Sequence, residues 1–483
     1  PSSGKWYYES TYLSTDTSNG WGGLIGIYNA SGTKRVVFFS NSVTSSENGI
    51  YKNASKVQTI TGASSVGDVL GVKVDADAST IQFYRNGSAL GTAVTYDAET
   101  YFFAFGGNGS SYNSLVSHAL NFGQRPFSYP SNATGCKALC TANLPTPTIE
   151  DPSQYVGIVT YTGTGATQTI SGLGFSPDLV WGKRRSSPAG DHYWIDAVRG
   201  ADKYVRSNIT NAEGTDSTII TSLNADGFTL GTAASLNNSG SSNVAWCWDA
   251  GSSTVTNENG SITSSVRANA TAGFSIVTYP GGSGEISVGH GLGVAPSFII
   301  CRPINNSSPW ATYHSSIGKD GGLNFSTSAA FSISNYWGTS GVTSTIFGAQ
   351  NGNINNNGSS YNHVAYCFAP IEGYSAFGSY TGNGSADGPF VYTGHRVRWL
   401  MIKRTDTTNS WHMVDAARSE FNAADDYLFA NTSDAETAVS GNAIDFTSNG
   451  FKCRGTFAGT NASGGTYVYA AFAEYPFRSA RAR

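Results

Sequence analysis

The sequence predicts an all-β protein, a β-sandwich followed by three tandem β-sandwich-type modules. Short runs such as Lys5-Trp6-Tyr7-Tyr8-Glu9 and Ile81-Gln82-Phe83-Tyr84 are rich in aromatic and β-branched residues and several alternate, the period of a half-buried strand. Glycine is dense, 58 of 483 residues, and with Ser, Thr and Asn it interrupts the apolar runs. No i, i+3, i+4, i+7 apolar stripe lasts beyond about three turns, so long amphipathic helices are not expected. Segments such as residues 422–429 read as a brief helix. Asn86-Gly87 separates two strand-like runs, the pair that supplies positive φ at both corners of a type I′ hairpin.

Composition narrows the function classes. Charged residues make up 12 % of the chain, about half the ~25 % of ordinary soluble domains, and 28 Lys+Arg against 32 Asp+Glu give a net charge of −4. Nucleic-acid binding needs a concentrated basic footprint. The basic cluster Arg478, Arg481 and Arg483 reads instead as a solvated tail. No run approaches the ~20 apolar residues of a bilayer-spanning helix, so membrane insertion is not expected. Cys136, Cys140, Cys247, Cys301, Cys367 and Cys453 are too few and too scattered for a disulfide scaffold, and mostly free, buried thiols are expected. Cys136 and Cys140 lack a second pair or a His cluster to complete a zinc site. Asp75 and Asp77 lack the Gly and Glu of a calcium loop and read as turn acceptors. Neither metal nor cofactor is expected.

Three prolines between Leu144 and Pro152 mark a stiff linker. After it a pattern returns three times. Ile158-Val159-Thr160-Tyr161, Ile276-Val277-Thr278-Tyr279 and Gly378-Ser379-Tyr380-Thr381 open the copies. Each has an apolar strand ending in a basic residue, at Lys183, Arg302 and Lys403-Arg404. Each closes on an aromatic strand: Val244-Ala245-Trp246-Cys247-Trp248, Val364-Ala365-Tyr366-Cys367-Phe368 and Val468-Tyr469-Ala470-Ala471-Phe472. The openings lie 118 residues apart (Ile158 to Ile276) and then 101 (Tyr279 to Tyr380), long enough for each copy to bury a core of its own. The expected domains are 1–130, a linker at 131–154, and modules at 155–256, 257–373 and 374–483. Cys247, Cys367 and Ala471 occupy one position, which suits a small core residue rather than a catalytic thiol.

Two sets of residues are candidates for a site. Asp196 with Arg199 and Asp415 with Arg418 recur at i, i+3 beside His192, Trp194, Trp411 and His412. Such groups can support acid–base work when burial tunes the imidazole, but a repeated carboxylate–guanidinium spacing more often forms a bidentate pair that pins a loop. The second copy lacks the pair, which argues against three equivalent active sites. Trp310, Tyr336, Trp337 and Trp411 stand in Asn/Ser/Gly/Thr-rich surroundings and read as exposed rings for glycan contact. No nucleophile elbow, phosphate loop or paired-histidine motif appears. No catalytic residue is assigned, and the chain is expected not to be an enzyme.

Gly4-Lys5-Trp6-Tyr7-Tyr8-Glu9, Val69-Leu70-Gly71-Val72-Lys73-Val74-Asp75 and Ile81-Gln82-Phe83-Tyr84-Arg85-Asn86-Gly87 together resemble a SPRY domain, a binding sandwich. The resemblance implies further strands upstream of Pro1. From Leu120-Asn121-Phe122-Gly123 through Gly174-Phe175-Ser176-Pro177-Asp178, Ala197-Val198-Arg199-Gly200 and Asp226-Gly227-Phe228, the chain resembles virion proteins of marine tailed phages, notably cyanophages. That resemblance implies a tail fibre or similar appendage on the virion surface. It would be a homotrimer in contact with other virion proteins and would adhere to a host glycan or protein. A capsid decoration or head fibre, a polysaccharide-cleaving tail spike and a cellular carbohydrate-binding adhesin are the alternatives.

Overall fold

A computed structural model of the chain describes residues 4–480, apart from 15–22, 30–32, 41–44, 98–100, 108–116, 139–142, 144–145, 334–335, 351–352 and 439–442. Cys140, Arg481 and Arg483 lie outside the described residues. The protein is all-β. The α-helices among the described residues are the single turns Ala234–Asn237, Ile354–Asn357 and Ala458–Asn461, and none is long and apolar enough to cross a membrane. The chain divides into two units, Pro1–Pro145 and Thr146–Arg483.

In the first unit, period-two alternation produces two sheets, antiparallel along the orders that follow. One runs Ser117–Asn121, Lys5–Ser14, Val69–Asp75, Thr80–Arg85, Ser88–Thr95; the other runs Ser55–Thr59, Gly49–Lys52, Arg35–Phe39, Gly23–Asn29, Tyr101–Gly107. Tyr8, Val72 and Phe83 of one sheet and Ile25, Val36 and Phe38 of the other form their common core, because successive strand side chains point to opposite faces. Asn86 and Gly87 turn the hairpin with φ of 47° and 82°, as expected for type I′. Asp75 Oδ1 accepts from the Ala78 N–H at 3.1 Å within the turn, and Asp77 Oδ1 accepts from the Gly4 N–H at 2.8 Å, which fastens the turn to the start of the Lys5–Ser14 strand. Lys137–Ala138 pairs in parallel with Lys5–Ser14, which makes part of the expected linker a sheet strand.

The second unit holds three inner sheets of one common order. The first runs Val156–Thr162, Ser242–Trp248, Leu179–Arg184, His192–Asp196, Gly200–Arg206, Gly214–Thr215. The second places Phe274–Pro280, Asn362–Phe368, Phe298–Pro303, Ala311–His314, Gly321–Asn324 and Ser332–Ile333 in the same succession. The third does so with Ser375–Thr381, Thr466–Pro476, His395–Arg404, Trp411–Asp415, Asp426–Phe429 and Thr437–Ala438. The strand Thr254–Asn257 joins the second sheet through Ser264–Asn269, so the expected boundary at 256/257 falls inside a strand. Where 422–429 read as a brief helix, Asp426–Phe429 is a strand. Tyr427 and Leu428 are buried in different cores on opposite faces, an arrangement of period two.

Each inner sheet carries a small outer sheet on one face. Phe228 packs near Cys247, Trp337 and Phe347 near Cys367, and Phe446 and Phe451 near Ala471. The opposite faces of all three inner sheets meet in a single cluster containing Trp181, Trp194, Trp246, Trp248, Phe298, Trp310, Phe368, Trp399, Trp411 and Phe472. Trp248 touches both other copies, with ring centroids 6.1 Å from Phe368 and 5.7 Å from Phe472. The expectation that each copy closes on a core of its own is corrected here. Strands such as Leu179–Arg184 are buried on both faces, and an outer sheet of two or three strands covers only one of them. The neighbouring copies cover the other.

Candidate functional site at the boundary of the first and second copies

The basic residue near the end of each central strand reaches into a neighbouring copy. Lys183 Nζ donates to Ser433 O at 3.1 Å and Asp434 O at 2.8 Å, Arg302 Nη2 to Thr210 O at 3.1 Å, and Lys403 Nζ to Ser328 O at 3.3 Å. The first copy thus holds the third, the second holds the first, and the third holds the second. All three side chains are buried, and burial pulls the Lys183 and Lys403 ammonium groups down to about 8.

A second ring of contacts runs the same way round. His192 Nε2 lies 3.1 Å from Phe429 O, Trp310 Nε1 donates to Arg206 O at 3.1 Å, and Trp411 Nε1 donates to Asn324 O at 3.0 Å. A third ring uses the residue that ends the next strand. Asp196 Oδ2 accepts from Tyr366 Oη at 2.8 Å, and Asp415 Oδ2 accepts from Trp246 Nε1 at 2.9 Å. In the second copy His314 takes this place, its Nε2 3.1 Å from Tyr469 O. Its neighbour on that strand, Ala470, has no polar side chain to offer.

These contacts define the carboxylate–guanidinium pairs. Arg199 Nε donates to Asp196 Oδ2 at 2.6 Å, and Asp196 Oδ1 accepts the N–H groups of Val198 at 3.1 Å and Arg199 at 2.9 Å. Arg418 and Asp415 repeat the arrangement, with Nε to Oδ2 at 2.6 Å. The pairs are not bidentate. Each guanidinium spends its other N–H groups elsewhere, on Glu213 and Tyr366 from Arg199 and on Glu436 and Asp426 O from Arg418.

The aromatic candidates are placed differently from the expectation of exposed rings. Trp310 and Trp337 are 0 % exposed and Trp411 is 2 % exposed. Trp310 and Trp411 lie in the shared core, their indole N–H groups committed to neighbouring copies, and Trp337 fills the outer core of the second copy beside Phe347. Tyr336 is half-buried against that same core. A ring enclosed by protein has no face for a sugar to stack on.

Three buried asparagines escaped the sequence reading. Asn237, Asn357 and Asn461 accept the N–H of Thr164, Gly282 and Asn383 at 2.7–2.8 Å. Their amide groups donate to carbonyls on either side, such as Ala166 O and Gly231 O for Asn237. Their signal was present in the sequence. Each stands five positions before its closing strand begins, 237 to 242, 357 to 362 and 461 to 466.

An open groove of about 420 Å³ lies between the first and second copies. Thr256, Thr263, Ser265 and Thr278 give it hydroxyls, Val198 and Ile304 apolar surface, and Arg199, Lys203 and Glu213 charge. Glu213 Oε2 accepts from Arg199 Nη1 at 2.9 Å, and Lys203 Nζ donates to Thr215 Oγ1 at 2.8 Å. At the corresponding boundary between the third and first copies, Arg185 meets Glu436 through Nε, 3.0 and 2.9 Å from its two oxygens.

Among known families, the one described as "Domain of unknown function (DUF7483)" matches residues 151–476, a single span across all three copies. The chain belongs to the DUF7483 family. No curated protein matches this DUF7483 chain. Among solved structures, the SPRY domain of human HERC1 is similar at 16 % identity and a TM-score of 0.22, covering 26 % of this chain and 79 % of that one. The NanB sialidase from Streptococcus pneumoniae is similar at 11 % identity and a TM-score of 0.17, covering 94 % of this chain and 77 % of that one.

Proposed function

We propose that the chain is a structural virion protein, a tail fibre or similar appendage, that presents its β bodies to a host surface and performs no catalysis. One observation carries the reading. Of the groups from which an acid–base site would be built, His192, Asp196, Arg199, Asp415 and Arg418 have buried side chains spent on hydrogen bonds that hold the second unit together, and His412 is buried with its Nε2 on Asn409 Oδ1. Desolvation holds both imidazoles far below the ordinary histidine range, which leaves them neutral and poorly suited to proton transfer near neutral pH. A body locked in this way suits a particle that must persist outside cells. The phage resemblance adds self-association as a homotrimer, with affinity raised by multivalency.

Negative-stain imaging of virions decorated with an antibody to the chain tests the assignment, with label expected on tails. Label confined to capsids would reassign it to a head fibre or decoration. Incubating the purified chain with host surface polysaccharide is expected to release no reducing ends, and sustained release would make it an enzyme.

A further inference from the structure

We infer that the groove between the first and second copies is a saccharide site, taking one pyranose ring whose neighbouring hydroxyls face Glu213 and Lys203. The inference rests on the adhesion reading and names its ligand class. It follows from a comparison of the three boundaries, at each of which one backbone N–H donates to a neighbouring carbonyl. The pairs are Glu436 to Arg185 O at 2.8 Å, Phe331 to Thr405 O at 2.9 Å and Glu213 to Ile304 O at 2.7 Å. Equivalent backbone positions therefore carry different side-chain pairs.

Between the third and first copies the Arg185 guanidinium occupies the space beside Glu436. Between the first and second copies the same place holds Ile304. Arg199 is then the one protein partner of the Glu213 carboxylate among the described residues, and it uses Oε2 alone. Glu213 lines a groove of about 420 Å³, within the ~300–1,000 Å³ range of small-molecule sites.

A guanidinium from another molecule would be the simplest substitute for Arg185, but Lys203 argues against it. Lys203 pairs with Thr215, two residues after Glu213, as Asp426 pairs with Ala438, two residues after Glu436. An ammonium, its Nζ 3.8 Å from Asp202 Oδ2, therefore stands where the filled boundary has a carboxylate, and with Arg199 it sets two cations around the groove beside Glu213, which disfavours a third. A neutral polyol satisfies both groups. One hydroxyl donates to Glu213 Oε1, and a neighbouring oxygen accepts from Lys203, whose three donors exceed its contacts with Thr215 and Asp202. The hydroxyls of Thr256, Thr263, Ser265 and Thr278 can exchange further bonds, and Ile304 and Val198 offer apolar surface to the C–H face of the ring.

The test is saturation-transfer NMR on the full chain with the methyl glycosides of glucose, galactose, mannose and N-acetylglucosamine. At least one glycoside is expected to receive saturation. Ile304→Arg should lay its guanidinium on Glu213 as Arg185 lies on Glu436, abolishing transfer while the melting temperature holds or rises. Glu213→Gln should weaken binding at least fivefold. Should Ile304→Arg not fold, Ser265→Trp, at an exposed position on the groove wall, blocks the same space and should likewise abolish transfer. Absence of transfer to all four glycosides, retention of transfer in a folded blocking variant, or tighter binding of N-acetylarginine amide than of any glycoside would overturn the proposal. Cell binding separates it from the adhesion reading. Host cells that bind wild type and both blocked variants equally, with no glycoside receiving saturation from any of the three, would refute the groove and leave adhesion standing. Glycoside transfer without cell binding would support the groove and remove adhesion.

Discussion

Trp246 Nε1 donates to Asp415 Oδ2 at 2.9 Å, a bond between the first and third copies inside the shared core. The Arg418 guanidinium lies 5.6 Å from the centroid of the same indole and donates to the same carboxylate oxygen. One aromatic ring thus serves the second unit as packing, as hydrogen-bond donor and as a partner for a buried cation.

Trp246→Phe keeps most of the packing and removes the donor. A hydrogen bond to a charged acceptor contributes about 1.5–3 kcal/mol, and the second unit is expected to lose about that much in urea unfolding. Asp415→Ala should cost more, about 3–5 kcal/mol, because it strips a partner from a fully enclosed guanidinium. A Trp246→Phe protein as stable as wild type would show that the bond contributes nothing net.

Sharing a core across the copies makes unfolding of residues 146–483 a single transition. Tryptophan fluorescence and circular dichroism should report coincident midpoints for that segment. A fragment spanning 374–483 should not fold, since it would expose Trp399, Met401, Trp411 and Phe472 to water. A well-dispersed NMR spectrum from that fragment would contradict the shared core.

Acid should weaken the second unit through its buried histidines, against the opposite pull of the single Asp178 carboxyl, which burial raises to about 7. Burial pushes His314 down to about 4 and His395 to about 3, while burial and then the nearby Lys403 charge push His412 to about 3. Unfolded histidines titrate near 6.5. Between the two values the unfolded chain binds more protons at these histidines, so their contribution to stability is complete above about pH 6.5 and falls as pH drops toward 4. Each fully buried histidine contributes a loss of about 1.4 kcal/mol per pH unit across that interval. Urea midpoints measured from pH 7.5 to 4.5 should decline steadily, and a flat profile would count against neutral buried imidazoles.

Thiol labelling should follow burial. Cys247, Cys301, Cys367 and Cys453 are buried and free, while Cys136 is half-buried. Desolvation raises Cys301 to about 12 and Cys453 to about 11, and Cys247 and Cys367 beyond that. These four should stay unmodified by a thiol reagent at pH 8 until denaturant is added, as read by peptide mass spectrometry. Rapid native labelling of Cys367 would contradict its place between the second copy's sheets.

The strands were legible because the forces behind them are local. Alternation in Ile81-Gln82-Phe83-Tyr84 and the Asn86-Gly87 corner act over a few residues and need nothing distant. The misreading of Trp310 shows the opposite case. Its Asn/Ser-rich flank, Asn305-Asn306-Ser307-Ser308, indicated solvent, while the ring is covered by Arg206 O from another copy and the Arg302 guanidinium. The brief helix expected over 422–429 failed for the same reason, because a neighbouring copy covers the second face of that strand.

By itself the sequence determined the all-β class, the threefold pattern of strands and the basic residue near each central strand's end, since spacing and turn chemistry are written along the chain. Tertiary structure alone decided that the copies share one core, that Asp196 and Asp415 reach across it, and that Ile304 leaves a groove where Arg185 closes its counterpart. Those outcomes depend on which side chains meet across separations such as the ninety-one positions between Glu213 and Ile304, and packing rather than local periodicity selects them.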